Sequence, residues 1–151
     1  MSLGDYGIPA LVGGLGGVIG ALVKDLVAAR MKTDEELRDL RTPVYKTLWK
    51  LTEVLPKWPR ADVKYSDLLE FSGKLRRWYF GEGGMYLSRR CQRRYAALQD
   101  TLSMVLSSAT GREAEPVSDP DYDAVRDRCS ALRTEMTEDL LSRRTGSRVL
   151  A

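Results

Sequence analysis

Residues 88–108 read SRRCQRRYAALQDTLSMVLSS, and this stretch decides the fold class. Its apolar residues recur every three or four positions, which is the spacing of one face of an α-helix. The strict alternation typical of a half-buried strand is missing from it. Ser88 stands where an N-cap is expected, because a serine hydroxyl accepts a free backbone N–H of the first turn. The apolar stripe consists of Cys91, Tyr95, Leu98, Leu102 and Val105.

Stripes of the same spacing occur on both sides of this stretch and predict three more helices. One is predicted to begin with Thr42 as its N-cap and Pro43 in its first turn, and to end near Leu55. Another is predicted to have Ser66 as its N-cap, with acidic residues in its first turn. The stripes of the three helices are Tyr45, Leu48, Thr52 and Leu55; Leu68, Phe71, Leu75 and Trp78; and Tyr122, Val125, Cys129, Leu132 and Met136.

The N-terminal region differs from these amphipathic helices because residues 8–23, IPALVGGLGGVIGALV, carry no charge. A helix of this length is about 24 Å long, short of a hydrocarbon core of roughly 30 Å. Beginning the helix at Tyr6 and letting the Lys24 ammonium reach the headgroups closes the gap. We therefore predict a transmembrane helix over residues 6–29. The alternative is a buried helix of a soluble domain. A signal peptide is disfavoured, because no Lys or Arg precedes the apolar run.

Small residues recur every fourth position in this segment, which predicts a flat helix face. In lipid, such a face lets a second helix approach closely, either from another copy of the chain or from a partner membrane protein. Glycine is also common in membrane helices without any pairing role, and that interpretation stays open. The small residues concerned are Gly13, Gly16, Gly17, Gly20 and Ala21.

The flanking charges predict how the anchor is oriented. The basic residues beside it all lie on its C-terminal side, beginning with Lys24 and Arg30. By the positive-inside rule, we expect a single-pass protein of the cell membrane with its C-terminal region in the cytoplasm. The predicted organisation is therefore a membrane helix over 6–29, an antiparallel cytoplasmic helical bundle over 30–144 and a disordered tail over 145–151.

The composition argues against an enzyme. The chain has 24 Lys and Arg against 21 Asp and Glu, and it contains no histidine. Histidine is the commonest general base and metal ligand, and the usual partner of a Ser or Cys nucleophile. The two cysteines, Cys91 and Cys129, are too few for a structural zinc site, and we interpret them as buried apolar residues. We therefore expect no catalytic residues, no metal and no cofactor.

The candidate binding residues lie in residues 74–94, KLRRWYFGEGGMYLSRRCQRR, where only Glu82 opposes seven basic residues. Three hypotheses are open: binding of anionic lipid headgroups or an acidic partner, an enzyme or receptor for a small phosphorylated ligand held over 81–94, and internal neutralisation by the acidic residues of 112–123. Nucleic acid is not expected, because the stretch is short and tethered beside lipid. The basic residues are Lys74, Arg76, Arg77, Arg89, Arg90, Arg93 and Arg94.

The run RWYFGEGGMYLSRR, with LTEVLPKWPR before it and CSALRTEMTEDLLSRR after it, resembles an uncharacterised family of small bacterial single-span membrane proteins. These proteins share an N-terminal span followed by a helical cytoplasmic region. The resemblance extends from about Leu11 to Arg144. It implies a bacterial source and a membrane location, and it assigns no role to any residue.

Overall fold

The computed structural model describes residues 35–141 together with Lys24, Ala28 and Lys32. The chain divides into two compact units, Met1–Asp39 and Leu40–Ala151. In the first unit, every described residue is helical. No helix within the described residues has both the length and the apolar character that a bilayer crossing requires.

Two predictions lie outside the described residues. The predicted membrane helix over 6–29 is described only at Lys24 and Ala28, and the predicted tail over 145–151 is not described at all. The glycine face of the membrane helix is also outside. Its residues are Gly13, Gly16, Gly17, Gly20 and Ala21.

The second unit contains four helices within its described residues. We label them α1 over residues 40–51, α2 Tyr65–Trp78, α3 Arg89–Ser108 and α4 Asp119–Leu141. The part of the chain that the structure describes has no strand, and a single isolated bridge joins Lys64 to Pro116. The predicted all-α fold class is confirmed.

The contacts between helices indicate that α1 runs opposite to α4 and that α2 runs opposite to α3. The hydroxyl of Tyr45, near the start of α1, donates to Asp139, near the end of α4, over 2.8 Å. The hydroxyl of Tyr95 in α3 donates to the carbonyl of Leu75 in α2 over 3.0 Å. We call the end of the bundle that carries the α2–α3 connection, residues 79–87, the tip end. The opposite end, with the connections 55–64 and 109–118, is the loop end.

The predicted apolar stripes form the core. All four stripes are buried, and Leu48, Leu68, Leu98 and Leu132 are fully inaccessible to solvent. Each such leucine stabilises the fold by about 1.5–3 kcal/mol relative to an exposed position. The helical spacing therefore identified the faces that pack together, and Ser88 caps α3 as predicted, with its hydroxyl accepting the Cys91 N–H at 3.1 Å.

Two predicted helix starts are wrong. Residues 40–42 are already helical, so no new helix begins at Thr42. Pro43 keeps a helical φ and removes one backbone hydrogen bond, and the burial of Tyr45 and Leu48 just after it offsets that loss.

The α2 helix begins at Tyr65 rather than after Ser66, with Lys64 as its N-cap. The Asp67 carboxylate accepts the Lys64 N–H at 2.8 Å. The N–H groups of Tyr65 and Ser66 donate to loop carbonyls at residues 115 and 113, over 3.2 and 2.8 Å. Since these donors are satisfied by a distant segment, no serine cap is needed.

Candidate anion-binding surface at the tip end

The tip is a tight connection that depends on two glycines. Tyr79–Gly83 forms one π-helical turn and Gly84–Tyr86 forms one 3₁₀ turn. A Cβ on Gly83 would lie 2.0 Å from the Trp78 ring, and a Cβ on Gly84 would lie 2.5 Å from the Tyr79 carbonyl oxygen. Because both approaches are closer than a side chain allows, glycine is required for the packing of this turn.

Aromatic rings hold the tip against the core. Tyr79 stacks on Tyr95 with 4.8 Å between ring centroids, and the buried Trp78 ring lies 6.1 Å from that of Tyr95. Tyr95 in turn accepts a hydrogen bond from the Gln99 amide at 2.9 Å. These three rings therefore lock the turn onto α3, whereas Phe80 next to them is 81% exposed.

The seven predicted basic residues divide into two groups. Lys74 pairs with Glu70 over 2.9 Å, and Arg90 and Arg94 approach Glu135 to 3.9 and 3.6 Å. The remaining four are exposed and form no ion pair within the described part of the chain. They lie at the end of α2 and at the start of α3, on either side of the tip. These four, which we call the tip arginines, are Arg76, Arg77, Arg89 and Arg93.

The acidic loop 112–123 does not neutralise these arginines, because it lies at the loop end. Its carboxylates have local partners there: Asp119 pairs with Arg60 over 2.7 Å, and Asp123 pairs with Arg126 over 2.7 Å. The counter-ions of the basic stretch are instead Glu70, which pairs with Lys74, and Glu135, which Arg90 and Arg94 approach.

Glu135 is a buried carboxylate that two arginines approach among the described residues. It is 8% exposed, and both Arg90 and Arg94 lie beyond hydrogen-bond distance of it. Its Oε1 and the Trp78 Nε1 are the buried side-chain polar atoms that lack a hydrogen-bond partner among the described residues. An open cleft of about 520 Å³ lies over this site. Its lining residues are Arg90, Arg93, Arg94, Ala97, Glu135 and Glu138.

The start of α3 places positive charge where a helix disfavours it. Arg89 and Arg90 occupy the first turn, which contains no acidic residue. The helix dipole destabilises a cation there by about 0.3–1 kcal/mol and favours an anion. In the last turn of α2, by contrast, Arg76 and Arg77 lie where the dipole favours cations. The charge at the start of α3 therefore does not contribute to the stability of its own helix.

The nucleophilic side chains near the tip are held in unreactive states. Ser88 serves as an N-cap. The Cys91 thiol is free and fully buried, and burial, with the hydrogen bond to Asp139 second, raises its pKa to about 12. Burial likewise raises the pKa of the Tyr45 hydroxyl well above its usual range. A protonated thiol is a poor nucleophile, so this cluster does not form a reactive centre.

The described residues contain no group of three His, Cys, Asp or Glu side chains that could hold a metal ion.

Compared with known proteins, the chain matches no family model, no curated protein and no solved structure. The resemblance to small bacterial membrane proteins therefore stays a prediction.

Sequence reasoning missed Glu135, which decides how the basic residues divide. A signal for its burial was present, because Glu135 lies three positions after Leu132 and directly before Met136, at the edge of a buried stripe.

Proposed function

We propose that this chain is a non-enzymatic, membrane-tethered helical module whose tip arginines bind the anionic headgroups of lipids. The observation that carries the proposal is the set of four exposed arginines beside the tip with no carboxylate partner in the described residues. Each basic residue close to an anionic membrane surface adds about 1 kcal/mol of attraction. The tip arginines together therefore provide enough attraction to dock the bundle on an anionic bilayer.

The start of α1 lies at the tip end of the bundle. The Arg41 guanidinium, one residue after the bundle begins, donates to the Tyr86 carbonyl of the tip over 2.9 Å. The proposal includes the inner-membrane location, the cytoplasmic bundle and helix pairing in the membrane, through the glycine face, with a second copy or a partner helix.

A receptor or enzyme for a small phosphorylated ligand is the less favoured alternative. Its best candidate site is the cleft beside Arg90 and Arg93, which also contains Glu135 and Glu138. Two carboxylates beside the ligand repel a phosphate, and Glu135 already uses the charge of Arg90 and Arg94. Arg93 lines this cleft and the other three tip arginines do not, so the set as a whole favours an extended anionic surface.

The test measures the distance between bundle and bilayer in the full chain. A donor dye is attached through Gly81→Cys, a position where a side chain meets nothing within 4 Å. The native thiols are buried, so the dye reacts with the introduced cysteine. The labelled chain is reconstituted into vesicles of phosphatidylcholine alone or with phosphatidylglycerol, each containing an acceptor-labelled lipid. We expect strong energy transfer only with phosphatidylglycerol, weakened by salt.

The decisive comparison uses two variants of equal charge change. Changing the four tip arginines to glutamine should reduce the docked fraction at least tenfold, since about 4 kcal/mol of attraction is removed. The control K46Q/K50Q/K57Q/R128Q removes four exposed charges that have no ion-pair partner among the described residues, and it should dock normally. Equal docking of both variants, or equal energy transfer in both lipids, would rule out headgroup binding. Separately, release of the full chain from membranes by alkaline carbonate would rule out the anchor.

A further inference from the structure

The tip presents two large apolar side chains to solvent. Phe80 is 81% exposed and Met85 is 84% exposed, and they lie on the two successive turns of the tip. Single exposed apolar residues are ordinary on protein surfaces. Here two more lie at the same end of the bundle: Leu40 directly precedes Arg41, and Leu141 closes α4. The tip end therefore carries four exposed large apolar side chains, whereas the loop end carries Trp58, which is 82% exposed, in the connection 55–64.

The backbone that carries these side chains is fixed. Tyr79, next to Phe80, stacks on Tyr95, and Gly83 is buried against the Trp78 ring. The two apolar side chains are thus exposed because the turn directs them outward, while its other aromatics pack inward. A group held rigidly in this way loses little conformational entropy when it inserts into another phase.

Positive charge borders the apolar tip on both sides. Arg76 and Arg77 precede it, Arg89 follows it, and Glu82 is the single acidic residue between them. Exposed apolar side chains surrounded by cations are the features that bind the interface of an anionic bilayer, where apolar groups enter the headgroup and acyl boundary and cations stay with the phosphates.

We infer that Phe80 and Met85 insert into the headgroup and acyl boundary of an anionic bilayer, with the tip arginines on the lipid phosphates. This inference rests on the proposed headgroup binding. It adds an apolar contribution to the binding and states how deep the tip enters the bilayer. A second copy of the chain is a poorer occupant in a tip-to-tip arrangement, because the arginines of the two copies would repel each other.

Insertion is tested by the depth of spin labels in the full chain on vesicles. Labels are placed through Phe80→Cys and Met85→Cys, with Met104→Cys on α3 as the control, since Met104 is 66% exposed and lies away from the tip. On vesicles containing phosphatidylglycerol, we expect the two tip labels to become accessible to oxygen and protected from a water-soluble nickel complex. The control label should stay accessible to nickel. In phosphatidylcholine alone, all three should stay accessible to nickel.

A variant without the apolar side chains separates insertion from charge attraction. In the energy-transfer assay, F80S/M85S should lower the docked fraction about tenfold, because the apolar area that leaves water on insertion is lost. The arginines are unchanged in this variant. Its thermal unfolding should match that of the native chain, since both positions are exposed.

The outcomes distinguish the two proposals. Tip labels that stay in water while docking still requires the tip arginines would overturn insertion and leave headgroup binding standing. If neither the change of the four tip arginines to glutamine nor F80S/M85S weakens docking, both proposals are overturned. Tip labels that become shielded without lipid, in proportion to protein concentration, would assign the tip to contact between copies of the chain and overturn insertion.

Discussion

At the tip end of the bundle, the buried Tyr45 hydroxyl donates to Asp139 of α4 over 2.8 Å. At the loop end, the buried Tyr65 hydroxyl donates to Asp121 of α4 over 2.7 Å. Each hydroxyl oxygen also accepts a backbone N–H from the serine directly before a helix, over 3.4 and 3.3 Å. Those serines are Ser88 before α3 and Ser118 before α4. The two ends are therefore fastened by the same hydrogen-bond arrangement.

Their surfaces differ in how arginines are used. At the loop end, Arg60 pairs with Asp119 and lies 4.3 Å above the Tyr122 ring, and Arg112 pairs with Glu115 and lies 5.3 Å from the centre of the Tyr65 ring. At the tip end, four arginines lack any ion-pair partner within residues 35–141. Because both ends are held by the same hydrogen-bond arrangement, the difference between them lies in these exposed charges, which are the ones that we propose to bind lipid headgroups.

The largest effect that we predict comes from filling the space beside the Trp78 ring. Gly83→Ala should destabilise the bundle by about 3 kcal/mol or more, because its Cβ would lie 2.0 Å from that ring. The matched variant Gly81→Ala, whose Cβ meets nothing within 4 Å, should change stability by less than about 1 kcal/mol. Urea unfolding measures both, and equal stability of the two variants would show that the tip is not packed as described.

Alkaline pH should weaken the fold through groups buried near the tip and in α4. Burial raises the pKa of Cys91 and of Cys129 from the usual value near 9 to about 12. The unfolded chain therefore loses these protons first as pH rises. The stabilisation that these thiols contribute is fully present below about pH 9 and is lost between about pH 9 and 12. Over that range, each thiol lowers the folding equilibrium constant about tenfold per pH unit.

The measurement is urea unfolding at pH 7, 9 and 10.5. Cys129→Ala should give a shallower decline above pH 9 than the native chain, whatever its stability at pH 7. An identical slope in the variant would mean that the Cys129 thiol does not titrate in this way.

The hydroxyl groups of Tyr45 and Tyr65 provide a matched pair of substitutions with a smaller expected effect on stability. Tyr45→Phe and Tyr65→Phe each remove one hydroxyl that donates to an aspartate, and each should destabilise the bundle by about 1–2 kcal/mol. Thermal unfolding of the two variants tests whether the ends contribute equally. A loss confined to one variant would show that only that end is fastened by its hydroxyl.

The smallest predicted change has opposite effects on stability and on docking. Arg89→Glu should raise stability by about 0.5 kcal/mol, because an acid replaces a cation in the first turn of α3. The same variant should dock more weakly on vesicles containing phosphatidylglycerol. Arg128→Glu, at an exposed position within α4, is the control and should leave docking unchanged. Normal docking by a stabilised Arg89→Glu variant would show that Arg89 takes no part in lipid binding.

The sequence pattern predicted the core and missed most contacts made by polar groups. Helical spacing identified the buried stripes because burial depends on which face a residue occupies, and Ser88 was recognisable because its cap is local. The start of α2 was not predictable, since its free N–H groups are satisfied by carbonyls about fifty positions away, at residues 113 and 115. Local propensity carries no information about such partners.

The basic surface was predicted as a stretch of seven residues, and its division into paired and unpaired members required the fold. Glu135 is more than forty positions from Arg90 in the chain, so no local charge pattern indicated their pairing. The exposure of Phe80 and Met85 was equally hidden. Both are apolar residues in an aromatic stretch, and only the π-helical and 3₁₀ turns of the tip direct them outward.

The entry of the chain into α1 and the end of α4 lie side by side, since Tyr45 contacts Asp139. Both therefore belong to the tip end. For anyone labelling this protein, an insertion near Gly111, at the loop end, therefore leaves the surface that we propose to bind lipid unobstructed.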